Sequence, residues 1–232
     1  KIWRTQFIAF VGNVLMAFPV ALALVAGLSW LTGENEATYK AAKLIGDLDI
    51  FTSLAIPHAA IAGVFLFISG MIAGSISNKL KVKQISARII HHPLLKQMIS
   101  LKTRTKIGNY IDHYWAGIVS NFWFGVFMGS ISIIGIIIGI NLDIRHITFA
   151  AGNFALGLYG YGFEITTLQL VHSIIGIVVI GFVNFIVSFS LSLFLALRSR
   201  GIHFNQLDEV FEAIRKSFFA NPMSFFFPSR KR

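Results

Sequence analysis

The sequence predicts an all-α, polytopic transmembrane helical bundle: four spans plus a re-entrant or half-inserted hairpin. Three observations predict it. Apolar runs cover roughly 7–32, 50–76, 114–141 and 165–197, each longer than the about 20 residues a helix needs to cross a hydrocarbon core. Hydrophobic residues make up 55% of the 232 and charged ones 13%, with a mean hydropathy of +0.72. A soluble domain of this size would show amphipathic stripes, not whole segments without charge. The third observation is that the charges between runs alternate in sign.

That alternation sets the orientation. Lys1 and Arg4 precede the first run. Between runs one and two, Lys40 and Lys43 face Glu34, Glu36, Asp47 and Asp49, for a net charge of −2. Between runs two and three the net charge is +7, and the tail beyond run four is again basic. Seventeen of the 20 Lys and Arg residues fall on one side, which the positive-inside bias places in the cytoplasm with both termini. The expected location is a bacterial inner membrane, because the runs are continuous and do not alternate as barrel strands do. Cysteine is absent, which excludes disulfides and thiolate metal sites. The first residue is Lys1, and the first run is too long for a signal-peptide core. The expectation is a piece of a longer protein. Residues 1–197 form its transmembrane domain, with a basic cytoplasmic loop at 77–113, and 198–232 form a cytoplasmic amphipathic tail.

Taken in order, run one carries Pro19 and run two Pro57, so a kink is expected at each. Loop 77–113 shows partial helical periodicity at Val82, Ile85 and Ile89, with Pro93 placed to start a second short helix. Run three is rich in Ile and Phe, and run four stops at Arg198 and Arg200. Residues 144–163 are long enough for a thin span, but a fifth crossing would move the cationic tail outside. A half-inserted hairpin is therefore preferred, with Asp143 as its N-cap. In the tail, Leu207, Val210, Phe211, Ile214 and Phe218 recur at helical spacing behind an Asn205 cap, and Pro222 ends the helix.

An echo of Asn followed four residues later by a small residue runs through the chain: Asn13–Ala17, Asn121–Gly125, Asn153–Gly157 and Asn184–Ser188. Residues four apart share a helix face, where Asn can bond across to another helix and a small neighbour lets the backbones approach. Asn13, Asn121, Gly125, Gly129, Asn184 and Ser188 are accordingly read as helix-packing residues. The ionisable cluster Asp143, Arg145 and His146, with Asn153, makes the hairpin the candidate functional element, since charge near membrane depth is a functional candidate by default. The four runs contain no acid, which argues against proton-coupled transport. The histidines show no metal-ligand spacing. No nucleophile–base pair is recognisable, so no catalytic residue, metal or cofactor is assigned. Lys79, Lys81, Lys83, Arg88, Lys102, Arg104 and Lys106 are the candidate contacts to anionic headgroups or, alternatively, to nucleic acid.

Several stretches together carry a family likeness. They are Gly12-Asn13-Val14-Leu15-Met16-Ala17-Phe18-Pro19, Ala62-Gly63-Val64 with Phe67-Ile68-Ser69-Gly70, and His91-His92-Pro93. With them go Leu142-Asp143-Ile144-Arg145-His146-Ile147-Thr148-Phe149, Gly152-Asn153-Phe154, Asn184 with Ser188-Phe189-Ser190-Leu191, and residues 198–204. In that order they resemble the membrane-embedded carboxyl-terminal part of the gonococcal-type site-specific recombinase family of bacterial proteins. The resemblance implies a multipass inner-membrane protein with a larger amino-terminal region. Its name implies DNA strand exchange, chemistry that elsewhere uses a Ser or Tyr hydroxyl with supporting arginines. Tyr110 and Tyr114 stand at the start of run three, but no Arg–His set converges on them in the sequence.

The sequence thus leads to an anchoring or assembly domain without enzymatic chemistry. A channel or transporter-like domain and a part in recombination are the alternatives. Expected partners are membrane lipids, the amino-terminal region of the same protein, further copies in an oligomer and, more weakly, DNA.

Overall fold

In the computed structural model, residues 2–140, 142–201 and 207–227 are described, and for 2–6 and 207–211 the description covers the backbone. All the regular structure among them is helical. Four helices are long and apolar enough to cross a membrane: α1 (Ile2–Thr32), α3 (Ala55–Val82), α6 (Leu101–Ile138) and α8 (Thr167–Ser199). The short helices are α2 (Ala41–Gly46), α4 (Ile85–His91), α5 (Pro93–Met98), α7 (Ile147–Gly160), α9 (Leu207–Ala220) and α10 (Met223–Phe226). Two compact units divide the chain, one of Lys1–Gly63 with Ile144–Arg232 and one of Val64–Asp143.

The prolines behave differently from one another. Pro19 lies inside α1, which continues through it. Pro57 is the third residue of α3, where an amide would have no intrahelical partner, so it disturbs no helical bond. The kink expected at Pro57 is replaced by a helix start: the second apolar run becomes helical at Ala55, after a turn over 47–54. Pro93 opens α5 as its spacing predicts. Asn205, the expected cap of α9, lies outside the described residues. Pro222 falls after the end of α9 and immediately before α10.

The first unit is built around α7. Its Ala150, Ala151, Phe154, Ala155, Gly157 and Gly160 are buried. Phe154 lies 5.7 Å from Phe18 of α1, ring centre to ring centre. Phe10 and Ile147 meet at Gly181, and Asn35 just beyond α1 bonds Tyr159 near the end of α7, so α7 and α1 run in the same direction. Helix α8 turns a single buried stripe to this centre: Ser173, Gly176, Ile177, Ile180, Gly181 and Asn184, at the three- and four-residue steps of one helix face. A capping box starts α8, with Thr166 Oγ1 accepting from Gln169 N (3.2 Å) and Gln169 Oε1 from Thr166 N (2.9 Å). At the other end of the unit, Phe226 and Phe227 meet Phe7 edge-on at 5.1 and 6.3 Å.

In the second unit α6 runs 38 residues and begins in the basic segment, well before its apolar run. Ser100 caps it through Thr103 N, and Gly139, in the left-handed conformation at φ +71°, closes it by donating to Gly135 O. Helix α4 lies on α6 at Gly108, where a Cβ would stand 2.7 Å from Ser86 Oγ. Phe65 stacks on Phe127 at 5.1 Å.

Candidate functional site

The predicted hairpin residues fall partly together. Asn184, in the middle of α8 and 2% exposed, ties three segments with one amide. Its Oδ1 accepts from Ile147 N (3.1 Å), the first amide of α7, which no helix bond can satisfy. Its Nδ2 donates to Ala59 O of α3 (2.8 Å) and to Arg145 O (2.9 Å). Arg145 N in turn donates to His58 O at 3.3 Å. Gly63 lets α3 come this close to α8, because a Cβ there would stand 2.6 Å from Val187 Cβ. The pairings of Ala59 with Asn184 and of Gly63 with Val187 set α3 and α8 running in the same direction.

His146 is the N-cap of α7, its Nδ1 accepting from Thr148 N at 3.4 Å. That corrects the assignment of the cap to Asp143, whose carboxylate lies 3.5 Å from Ser132 Oγ. The cap goes to His146 because the chain is extended up to 146 and turns helical at Ile147. Arg145 forms an ion pair of 2.9 Å with Asp47, the two side chains 11% and 23% exposed. Asn153 is half-buried on α7 and makes no side-chain hydrogen bond among the described residues.

Asp47 was visible in the sequence only as a loop charge. It belongs to a second segment that enters the same centre. Ile45 sits against Gly157, where a Cβ would be 2.8 Å from its side chain, and Ala37 and Ala41 sit against Gly160. The Leu48 carbonyl occupies the space that a Cβ on Gly176 would need. Asp49 Oδ2 lies 3.1 Å from His172 Nδ1, and Phe51 donates its amide to Asp49 Oδ1 at 2.9 Å. That amide bond is the main reason the Asp49 carboxyl is held below its usual range, with the His172 contact adding to it. Asn35 Nδ2 donates to Tyr159 O (3.0 Å), so both ends of α7 are tied by asparagines from elsewhere.

The remaining packing assignments divide. Ser188 is half-buried and bonds its own helix at Phe185 O (3.1 Å). Asn13 is half-buried on α1. Asn121, Gly125 and Gly129 are exposed on α6, with no atom of the described residues within 4 Å of a Cβ placed on either glycine. Of the basic loop residues, Arg104 is buried and bonds Ile90 O, while Lys79, Lys81, Lys83, Arg88, Lys102 and Lys106 are exposed. Tyr110 and Tyr114 pair with each other at 4.9 Å, and His113 meets Tyr114 at 4.7 Å. No group of three or more His, Cys, Asp or Glu able to hold a metal occurs among the described residues.

Four helices long and apolar enough to cross a membrane, with the short α7 buried against α1, α2 and α8, define the class: an all-helical protein compatible with a membrane. The family profile described as Site-specific recombinase matches residues 1–228, and the chain belongs to that family. No match was found among curated proteins, and none among solved structures.

Proposed function

We propose that the chain is the membrane-embedded domain of a larger bacterial inner-membrane protein. It crosses four times with both ends cytoplasmic, and it anchors and assembles that protein without enzymatic chemistry of its own. The observation that carries this reading is the use made of the buried polar groups. Asn184 is fully engaged in backbone ties, and Arg145 is held by Asp47. Such ties join helices in an apolar medium, where the hydrophobic effect does not.

Depth supports the half-inserted hairpin. Asn184 lies about 26 Å along α8 from Thr167, inside an about 30 Å core if α8 crosses. The N-terminus of α7, bonded to Asn184, then starts within the bilayer, and its about 21 Å length is too short to cross. Irregular backbone at such depth requires burial in protein, and the sides of α1, α2 and α8 supply it. Deleting this domain from the full-length protein should release the remainder into the soluble fraction. A remainder that still sediments with membranes removes the anchoring role.

A second reading, a channel or transporter-like domain, is favoured by one observation. Two incompletely helical segments, 41–54 and 144–160, meet at a partly buried ion pair beside a half-helix N-terminus, as in broken-helix transporters. On this reading Asp143, Arg145, His146 and Asn153 flank the pathway. Solute flux in reconstituted vesicles that is abolished by Arg145→Met and Asn153→Ala supports it, and flux indifferent to both removes it. Strand exchange, which the family description names, is the weaker reading for this stretch, since the Tyr110, His113 and Tyr114 rings are engaged with one another.

A further inference from the structure

The connection between α3 and α6 combines two properties that a solvated loop would not. From Lys79 to Lys106 it carries eight Lys and Arg residues, and no acid occurs before Asp112. It also leaves large apolar side chains bare: Val82 is 74% exposed, Leu94 63%, Met98 78% and Leu101 60%. Leu94 and Met98 are four residues apart on α5 and share a face, while Lys96 points about 200° around the helix from Leu94. The shape presenting them is braced from beneath. Arg104 is buried and bonds Ile90 O, and Gly108 brings α6 against Ser86 of α4.

We propose that this connection is docked in the headgroup layer of an anionic leaflet, with Leu94, Met98 and Leu101 inserted between lipids and the exposed lysines on the phosphates around them. Charge selects the occupant, because a segment free of acids is complementary to an anionic surface. Apolar side chains ringed by long cationic ones match the interfacial zone, where the aliphatic stems lie along the acyl boundary and the ammonium groups stay wet. Both ends of the connection continue into helices long and apolar enough to cross the bilayer, so the surface is held beside the lipid. The proposal rests on α3 and α6 crossing a membrane, and it adds which residues enter the lipid between them.

The absence of cysteine makes the test direct. The full chain carrying a single spin-labelled cysteine at Leu94→Cys, Met98→Cys, Lys96→Cys or Ile133→Cys is reconstituted in phosphatidylglycerol-containing vesicles and in phosphatidylcholine alone. In anionic vesicles the labels at 94 and 98 should collide with oxygen in preference to a water-soluble nickel chelate, and the label at 96 should do the reverse. Phosphatidylcholine alone should move the first two toward water. Lys83→Gln and Lys102→Gln should each weaken the docked state about fivefold. Labels at 94 and 98 that remain in water in anionic vesicles overturn the proposal. So does their shielding only when duplex DNA is added to phosphatidylcholine vesicles, which would assign the surface to nucleic acid. The label at 133, on the exposed face of α6, reports the crossing itself: if it too lies in water, the membrane reading fails together with the docking.

Discussion

Helices α8 and α6 are both long and apolar, and both carry glycines among Ile, Phe and Ser, yet three glycines of the α6 apolar run, unlike Gly108 and Gly135 of the same helix, lie in surroundings opposite to those of Gly176 and Gly181 on α8. On α8, a Cβ at Gly176 would collide with the Leu48 carbonyl, and one at Gly181 would stand 2.6 Å from Ile147 Cδ1. On α6, Gly117, Gly125 and Gly129 face open space. The difference lies in what crosses the helix. At Gly176 α8 is met by the backbone of the 47–49 turn, which needs glycine to approach closely, and at Gly181 by the side chains of Phe10 and Ile147. On α6, the GxxxG spacing at Gly125 and Gly129 marks no close contact among the described residues.

The sharpest way to break this contrast is to disturb what the α8 face holds in place. Arg145→Met leaves the Asp47 carboxylate without its ion pair, in a site where its side chain is 23% exposed. Breaking a fully buried pair from one side costs about 3–5 kcal/mol, so this partly buried one should cost about 1–3 kcal/mol, whereas replacing both partners by apolar residues is often neutral. Arg145→Met alone should therefore lower the unfolding midpoint in detergent, and Arg145→Met with Asp47→Leu should recover most of the loss. A double variant no better than the single one would mean that the pair is not what Arg145 contributes. Of similar size is Gly176→Ala, expected to cost about 1–3 kcal/mol because the Leu48 backbone must shift to admit the new carbon. Gly129→Ala should be neutral or slightly stabilising, since the new carbon meets no atom of the described residues and gains helix propensity. Equal effects at the two glycines would erase the distinction.

How much of this was legible from the residues follows from what each signal measures. Hydropathy over windows of 20 residues reports length and solvent, and it located all four long helices. It could not see that α6 begins at Leu101, because helix in the basic segment depends on the Ser100 cap and on packing against α4. Charge sorting argued that 144–163 does not cross, and the 14-residue α7 is consistent with that. Asn184 was picked out by its spacing to Ser188, yet its bonds go to Ala59, Arg145 and Ile147, far away in sequence. Asp47 was invisible as a site because its partner lies 98 residues on, and periodicity carries no information about such pairings. The one available clue was the small-residue face Gly157 and Gly160, which admits Ile45, Ala37 and Ala41 and so brings the Asp47 turn alongside α7.

The smallest expected effect separates the two contacts that hold the 47–51 turn. Asp49 is pinned mainly by the Phe51 amide and also by His172, and its carboxyl is held below the ordinary value of 3.8. A carboxyl depressed on folding contributes stability that is fully present above its unfolded value and is lost as pH falls through the folded one. Asp49→Asn should therefore lower the unfolding midpoint at pH 7, and the gap to the parent protein should close only below about pH 4. A gap that stays unchanged as pH falls through the carboxylate range would mean that the charge on Asp49 is not what holds the turn. With the amide as the main tie, Phe51→Leu, which keeps the backbone donor and removes only the ring 5.1 Å from His172, should leave the acid profile of Asp49 in place.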